Sequence, residues 1–165
     1  MTLIKVRSST LPPNSALWPR IGPKDFLDCF EVRAETTPRV AAEIITDFPR
    51  WAKGLLLIRK ILVTPFGLSH DGPQAVDKLG PFPVGSETDQ ELIAGFNDKH
   101  LDFRVSVIAK DGRVSLATWV HVHNVGGCLY LNAIMPFHVL IARDALRRVA
   151  MATQKIDPRK TTAWT

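Results

Sequence analysis

The sequence is poor in the features that mark several protein classes. Cysteine occurs twice, at Cys29 and Cys128. A secreted scaffold stapled by disulfides usually carries more, so two reduced thiols are expected. The opening Met-Thr-Leu-Ile-Lys-Val-Arg lacks the apolar centre of a secretory signal. Unbroken apolar runs are short. The longest, Leu55 to Ile58 and Met135 to Ala142, fall well below the roughly 20 residues of a spanning helix, and Pro136 and His138 interrupt the second. A cytoplasmic protein with no membrane span is therefore expected. There is no glycine-rich dinucleotide fingerprint, no compact metal motif, no internal repeat, and no nucleophile-elbow pattern around Ser106 or Ser115.

What is present fits one domain. The chain has 165 residues, 45% hydrophobic and 22% charged, enough to bury a core. The net charge is +5. A nucleic-acid binder would gather its bases on one face with aromatics between them. Here Arg50, Lys53, Arg59 and Lys60 belong to one expected helix. Arg143, Arg147, Arg148, Lys155, Arg159 and Lys160 lie near the C-terminus. Solvated helix faces explain both groups, so nucleic acid is not an expected partner.

Residues 1–22 hold Pro12, Pro13 and Pro19 and read as an extended arm. Residues 23–152 form the domain, and 153–165 a basic tail. Asp25 to Arg33 reads as a strand. Thr37-Pro38 starts a helix running to about Thr46, with Val40, Ala41, Ile44 and Ile45 on its apolar side. Asp47-Phe48-Pro49 starts a second, with Trp51, Leu55, Ile58 and Leu62 at helical spacing. Glycines and prolines over 67–83 read as a long loop. Alternation then predicts strands near Phe82–Val84, Glu91–Phe96, Leu101–Val107, Val114–Val122 and Cys128–Asn132, each with one apolar face.

Asp111-Gly112 is a two-residue hairpin signal. It sets Lys110 opposite Arg113, Val107 opposite Leu116, Val105 opposite Thr118 and Phe103 opposite Val120. Asn97-Asp98 suggests a second turn, with Leu92 opposite Phe103 and Ala94 opposite Leu101. Gly126 suggests a third, with Val122 opposite Leu129 and Val120 opposite Leu131. Pro136 would open a final helix with the stripe Phe137, Leu140, Ile141, Ala145 and Val149. Its apolar first half is expected to be deeply buried, and Arg143, Asp144, Arg147 and Arg148 to face water. The order predicts an α+β fold in which a curved antiparallel sheet wraps a long C-terminal helix.

Gly80-Pro81-Phe82-Pro83-Val84, Asp98 to Val107, His123-Asn124 and Pro136-Phe137-His138 resemble an uncharacterised bacterial family, DUF2867. The element order resembles the helix-grip fold of START-like (SRPBCC, Bet v 1-like) proteins. That resemblance implies a container between sheet and helix, and a stand-alone version of a domain elsewhere fused behind a nicotinamide-binding one. It does not by itself imply an activity.

Three functional readings follow. In the first, Leu101, Phe103, Val105, Val120, Val122, Phe137 and Ile141 line a site for a hydrophobic small molecule or lipid, with Thr118, Asn124 or His138 as polar anchors. A filled core would use the same residues. In the second, an enzyme of this fold uses Asp102 and His121 as an acid–base pair, although both fall on the outer face. In the third, the aromatic outer face and the arm dock a partner or a second copy, giving a homodimer. On that outer face Glu91, Arg104 and Trp119 would form one row, and Ile93, Asp102, His121 and Tyr130 a second. A third row of Gly95, His100, His123 and Cys128 could bring two imidazoles and a thiolate to one zinc ion. A polar sheet face is the plainer account, and no cofactor is expected. Glu87, Asp89 and Glu91 read as a solvated strand edge.

Overall fold

The computed structural model describes residues 4–54 and 74–156. The expected second helix beyond Gly54 (Leu55, Ile58, Leu62), the loop residues 67–73 and the tail residues 157–165 lie outside the described residues. The elements are β1 (Arg7–Ser8), a 3-10 turn at Trp18–Arg20, β2 (Phe26–Arg33), α1 (Pro38–Thr46), β3 (Lys78–Leu79), β4 (Phe82–Glu87), β5 (Glu91–Ala94), β6 (Leu101–Lys110), β7 (Arg113–Val122) and α2 (Val125–Ile156). Seven antiparallel strands form one sheet in the order β1-β2-β7-β6-β5-β4-β3, with the long C-terminal helix against it. This is the expected α+β helix-grip architecture.

Local chemistry explains the boundaries. The Thr37 hydroxyl accepts the Val40 amide at 3.3 Å, and Pro38 occupies the first turn of α1. Ala41, Ala42 and Ile45 turn inward, while Val40, expected with them, is exposed. Asp111 and Gly112 have φ of 52° and 69°, as a two-residue turn that follows strand twist requires. All four expected β6–β7 pairs are formed. The β5–β6 register differs from expectation: Leu92 faces Val107 and Ala94 faces Val105. Pairing in the same register runs on to a bridge between Asn97 and Asp102, so the turn falls at Lys99-His100, two residues beyond the expected Asn97-Asp98. The slip is an even number of residues, so each side chain keeps its expected face.

The expected strand at 128–132 is instead the start of α2. Asn124 accepts the Gly127 amide at 3.0 Å through Oδ1, capping the helix eleven residues before Pro136. Leu129 and Leu131 are therefore helical and line no strand. A Cβ on Gly127 would lie 2.3 Å from the His100 carbonyl oxygen, so only glycine lets the helix start pass this close to the strand.

Both faces of the sheet are covered. On the inner face Phe30, Val32, Leu92, Ala94, Val107, Val114 and Leu116 pack on α1 and on Ala142, Ala145, Leu146, Val149 and Ala150 of α2. Arg148, expected in water, donates to the Ile44 and Asp47 carbonyls at 2.5 and 2.8 Å and closes the C-terminal end of α1. On the outer face the arm lays Leu11 and Leu17 over Cys29, Ile93, Ile108, Ala117 and Trp119. This explains why β7 is buried almost continuously from Val114 to Val120.

The first half of α2 departs from expectation. Val125, Leu129, Phe137 and Leu140 are 75%, 67%, 48% and 53% exposed. No Asp, Glu, Lys or Arg occurs from Val114 to Ala142. By length and composition the helix Val125–Gln154 is apolar enough to cross a membrane, its most apolar 18-residue window having a mean hydropathy of 1.6. Reading only unbroken apolar runs missed this stretch, because small and uncharged polar residues interrupt it.

Candidate functional site

Among the described residues, a polar contact joins β2 to α2 across the largely apolar inner face. Asp28 lies on β2 opposite Thr118 of β7, and Thr118 lies opposite Val105 of β6. The His138 ring on α2 donates from Nε2 to Asp28 Oδ2 at 2.9 Å. The edge of the ring meets Phe26 at a centroid distance of 6.2 Å. Asp28 Oδ1 is buried and has no hydrogen-bond partner, and neither has Arg143 Nε one helical turn further on. The Arg143 guanidinium lies 5.3 Å from the Phe30 ring. Arg143 is thus drawn to the sheet, where water had been expected.

Of the residues expected to line a container, Leu101, Thr118 and Val120 are buried. Phe103, Val105, Val122, His138 and Ile141 are half-buried. Phe137 points to solvent instead, because α2 begins upstream and its phase turns this residue outward. Beneath the second half of α2 the interior is packed. Toward Phe26, Phe103 and Val122 the side chains are only half-buried. Two open hollows of about 370 and 340 Å³ lie elsewhere, one beside Arg39, Thr46 and Asp77, the other between Ile44 and Met151. Neither touches a residue expected to line the container.

The outer-face histidines are also redistributed. Asp102 and His121 are cross-strand neighbours as expected, but His121 donates from Nδ1 to Asp25 Oδ1 at 2.6 Å. Asp25 Oδ2 accepts the Gly22 amide at 2.7 Å and the Trp119 indole at 2.8 Å. Burial pushes the Asp25 carboxyl up, but His121, the Gly22 amide and Trp119 together hold it below its ordinary value. The hydrogen bond to Asp25 raises His121. His123 Nε2 lies 3.0 Å from Asp102 Oδ1 without making a hydrogen bond.

The third expected row does not form. His100 donates from Nδ1 to Asn124 Oδ1 at 3.1 Å, and Cys128 rides on α2 beside Asn132. Among the described residues no three His, Cys, Asp or Glu side chains converge as a metal ion requires. The first row is also rearranged, because Glu91 lies opposite Ile108 and Arg104 opposite Trp119.

Glu91 is the largest surprise. Expected at a solvated edge, it is buried. It accepts the hydroxyls of Ser15 at 2.5 Å and Ser106 at 2.6 Å, and the Ala16 amide at 2.7 Å. It fastens the arm to the sheet. Cys29 lies under the same arm; burial, then Asp28 and Glu31, push its thiol up to about 12.

A family model described as a protein of unknown function, DUF2867, matches residues 20–145. The chain belongs to the DUF2867 family. No curated protein and no solved structure matches it. The matched span of this DUF2867 domain holds β2 through most of α2, including Asp25, Asp28, His121 and His138. It omits Ser15 and Ala16.

Sequence reasoning named His138 as an anchor but missed its partner. Asp28 sits 110 residues away in sequence. Its one available signal was polarity at an inward strand position, between Phe26 and Phe30.

Proposed function

We propose that this DUF2867 domain, as a START-like container, binds a hydrophobic small molecule or lipid at the half-buried end of the sheet–α2 interface. Apolar contact with Phe26, Phe103, Val105, Val122 and Ile141 would supply the affinity, and Asp28 with His138 the orientation. The observation that supports this reading is the buried, unpartnered Asp28 Oδ1. A buried carboxylate oxygen without a donor is costly, on the order of 1–3 kcal/mol. A ligand hydroxyl or amide would satisfy it, and the Thr118 hydroxyl lies across the same strand pair.

Native mass spectrometry of the protein as purified tests the proposal. The expected result is an added small-molecule mass that denaturation removes. It should be retained in His121→Gln and lost in Asp28→Asn and in Ile141→Asp. A bare, folded protein that also takes up no fatty acid or sterol on titration would sink it. The same Asp28–His138 hydrogen bond has the reach that acid–base chemistry requires. Turnover of the identified ligand, abolished by His138→Gln without loss of binding, would convert the container into an enzyme.

A further inference from the structure

The exposed half of α2 calls for an explanation separate from the container. Burial of apolar side chains is the main favourable term in folding, so large apolar residues concentrated on one exposed helix face mark a contact surface. Val125, Leu129, Phe137 and Leu140 stand on one side of the helix, and only 17% of the most apolar window of α2 is buried. We propose that this ridge is a membrane-contact surface that seats on an anionic lipid bilayer.

Charge identifies the occupant. The ridge is free of charge along its whole length, and the first charged residues beyond it are Arg143 and Asp144. At about 100° per residue, Arg147 falls within the arc that Val125, Leu129, Leu140 and Phe137 span, as does Asp144, whose charge Arg148 offsets at 3.1 Å. Arg147 is exposed, and it has no ion-pair partner among the described residues. An apolar helix face with arginine at one end matches the boundary between acyl chains and acidic headgroups.

The ridge is held in place at both ends. Asn124 and His100 fix the start of α2 beside β6, and Ala142, Ala145, Leu146 and Val149 bury its continuation in the core. The second half cannot leave the sheet without unfolding the domain. The contact is therefore interfacial, with the helix lying along the membrane rather than crossing it. This inference does not rest on the Asp28–His138 site, and Asp28→Asn should leave membrane binding unchanged.

Co-sedimentation of the full chain with phosphatidylcholine vesicles, with and without phosphatidylserine, tests it. The expected result is binding to the phosphatidylserine vesicles that weakens with salt. Leu129→Asp combined with Leu140→Asp should reduce it by about tenfold or more. Arg147→Glu should weaken binding to phosphatidylserine vesicles alone, by about fivefold. Near-UV circular dichroism checks folding. If the double variant unfolds, Leu140→Asp alone and Arg147→Glu carry the test. No sedimentation, or equal binding to both vesicle types, overturns the proposal. So does a dimer in solution that Leu129→Asp dissociates, because the ridge would then belong to a second copy.

Discussion

The two faces of the sheet are both buried, by different means. The inner face is closed by helices through apolar side chains, with Leu146 and Val149 fully enclosed. The outer face is closed by a proline-rich arm that adds the grip of two carboxylates to the apolar contact of Leu11 and Leu17. Glu91 holds Ser15 and Ala16, and Asp25 holds Gly22, Trp119 and His121. A closure made of apolar contact fails only with the fold. A closure that joins two apolar anchors to a few charge-assisted hydrogen bonds can open locally while the sheet stays intact.

The sharpest contrast should come from truncating each closure in turn. Leu146→Ala is expected to cost about 2–5 kcal/mol of global stability in urea unfolding. Glu91→Ala leaves two hydroxyls and an amide without their acceptor, with an expected cost of about 1–3 kcal/mol. Its signature should be local: amide exchange and proteolysis rise over residues 10–21, while β6 and β7 stay protected. Equal loosening of both faces by Glu91→Ala would break the comparison.

A chemical probe sharpens it further. With its thiol pushed up to about 12, Cys29 holds on the order of one part in ten thousand as thiolate at pH 8. Iodoacetamide should modify the exposed Cys128 first. Cys29 should react only as the arm opens, and faster in Glu91→Ala than in Leu129→Asp.

The smallest expected effect is on pH. His121 is raised, so its contribution is complete below its ordinary value of 6.5 and fades as pH rises through the raised one. Asp25 is lowered, so its contribution is present above 3.8 and fades as pH falls through the lowered one. Protection factors for Ile21 to Asp25 should therefore be greatest between those two values and decline on the alkaline side. His121→Gln should remove the alkaline decline. A decline that persists in that variant would assign it to another group.

The fold was legible where local chemistry decides it. Thr37-Pro38 fixed a helix start, and Asp111-Gly112 fixed ten cross-strand pairs, because a two-residue turn leaves no freedom of register. The β5–β6 register was not legible, because turns at Asn97-Asp98 and at Lys99-His100 give registers four residues apart that keep every side chain on the same face. The start of α2 was misread because Leu129 and Leu131 alternate as strand residues do. With no charged residue on either side, helical periodicity had no polar face to reveal it. At the candidate site the legible part was its face and His138. Asp28 with His138 and Glu91 with Ser15 are separated by 110 and 76 residues. Partnerships that distant are set by the finished fold.

The pairing of β2 with β7 has a consequence for how the chain is made. β2 is the first long strand to leave the ribosome, and its partner β7 is the last, with Val32 aligned to Val114. β1 and the arm can already lie against Phe-Leu-Asp-Cys-Phe-Glu-Val-Arg, but through most of synthesis its other edge has no long strand to pair with, and α2 emerges later still. Contacts of such long range make folding slow and leave apolar strand exposed meanwhile. Asp28 and Glu31 place two negative charges inside that waiting segment, where they discourage one nascent chain from adding to another.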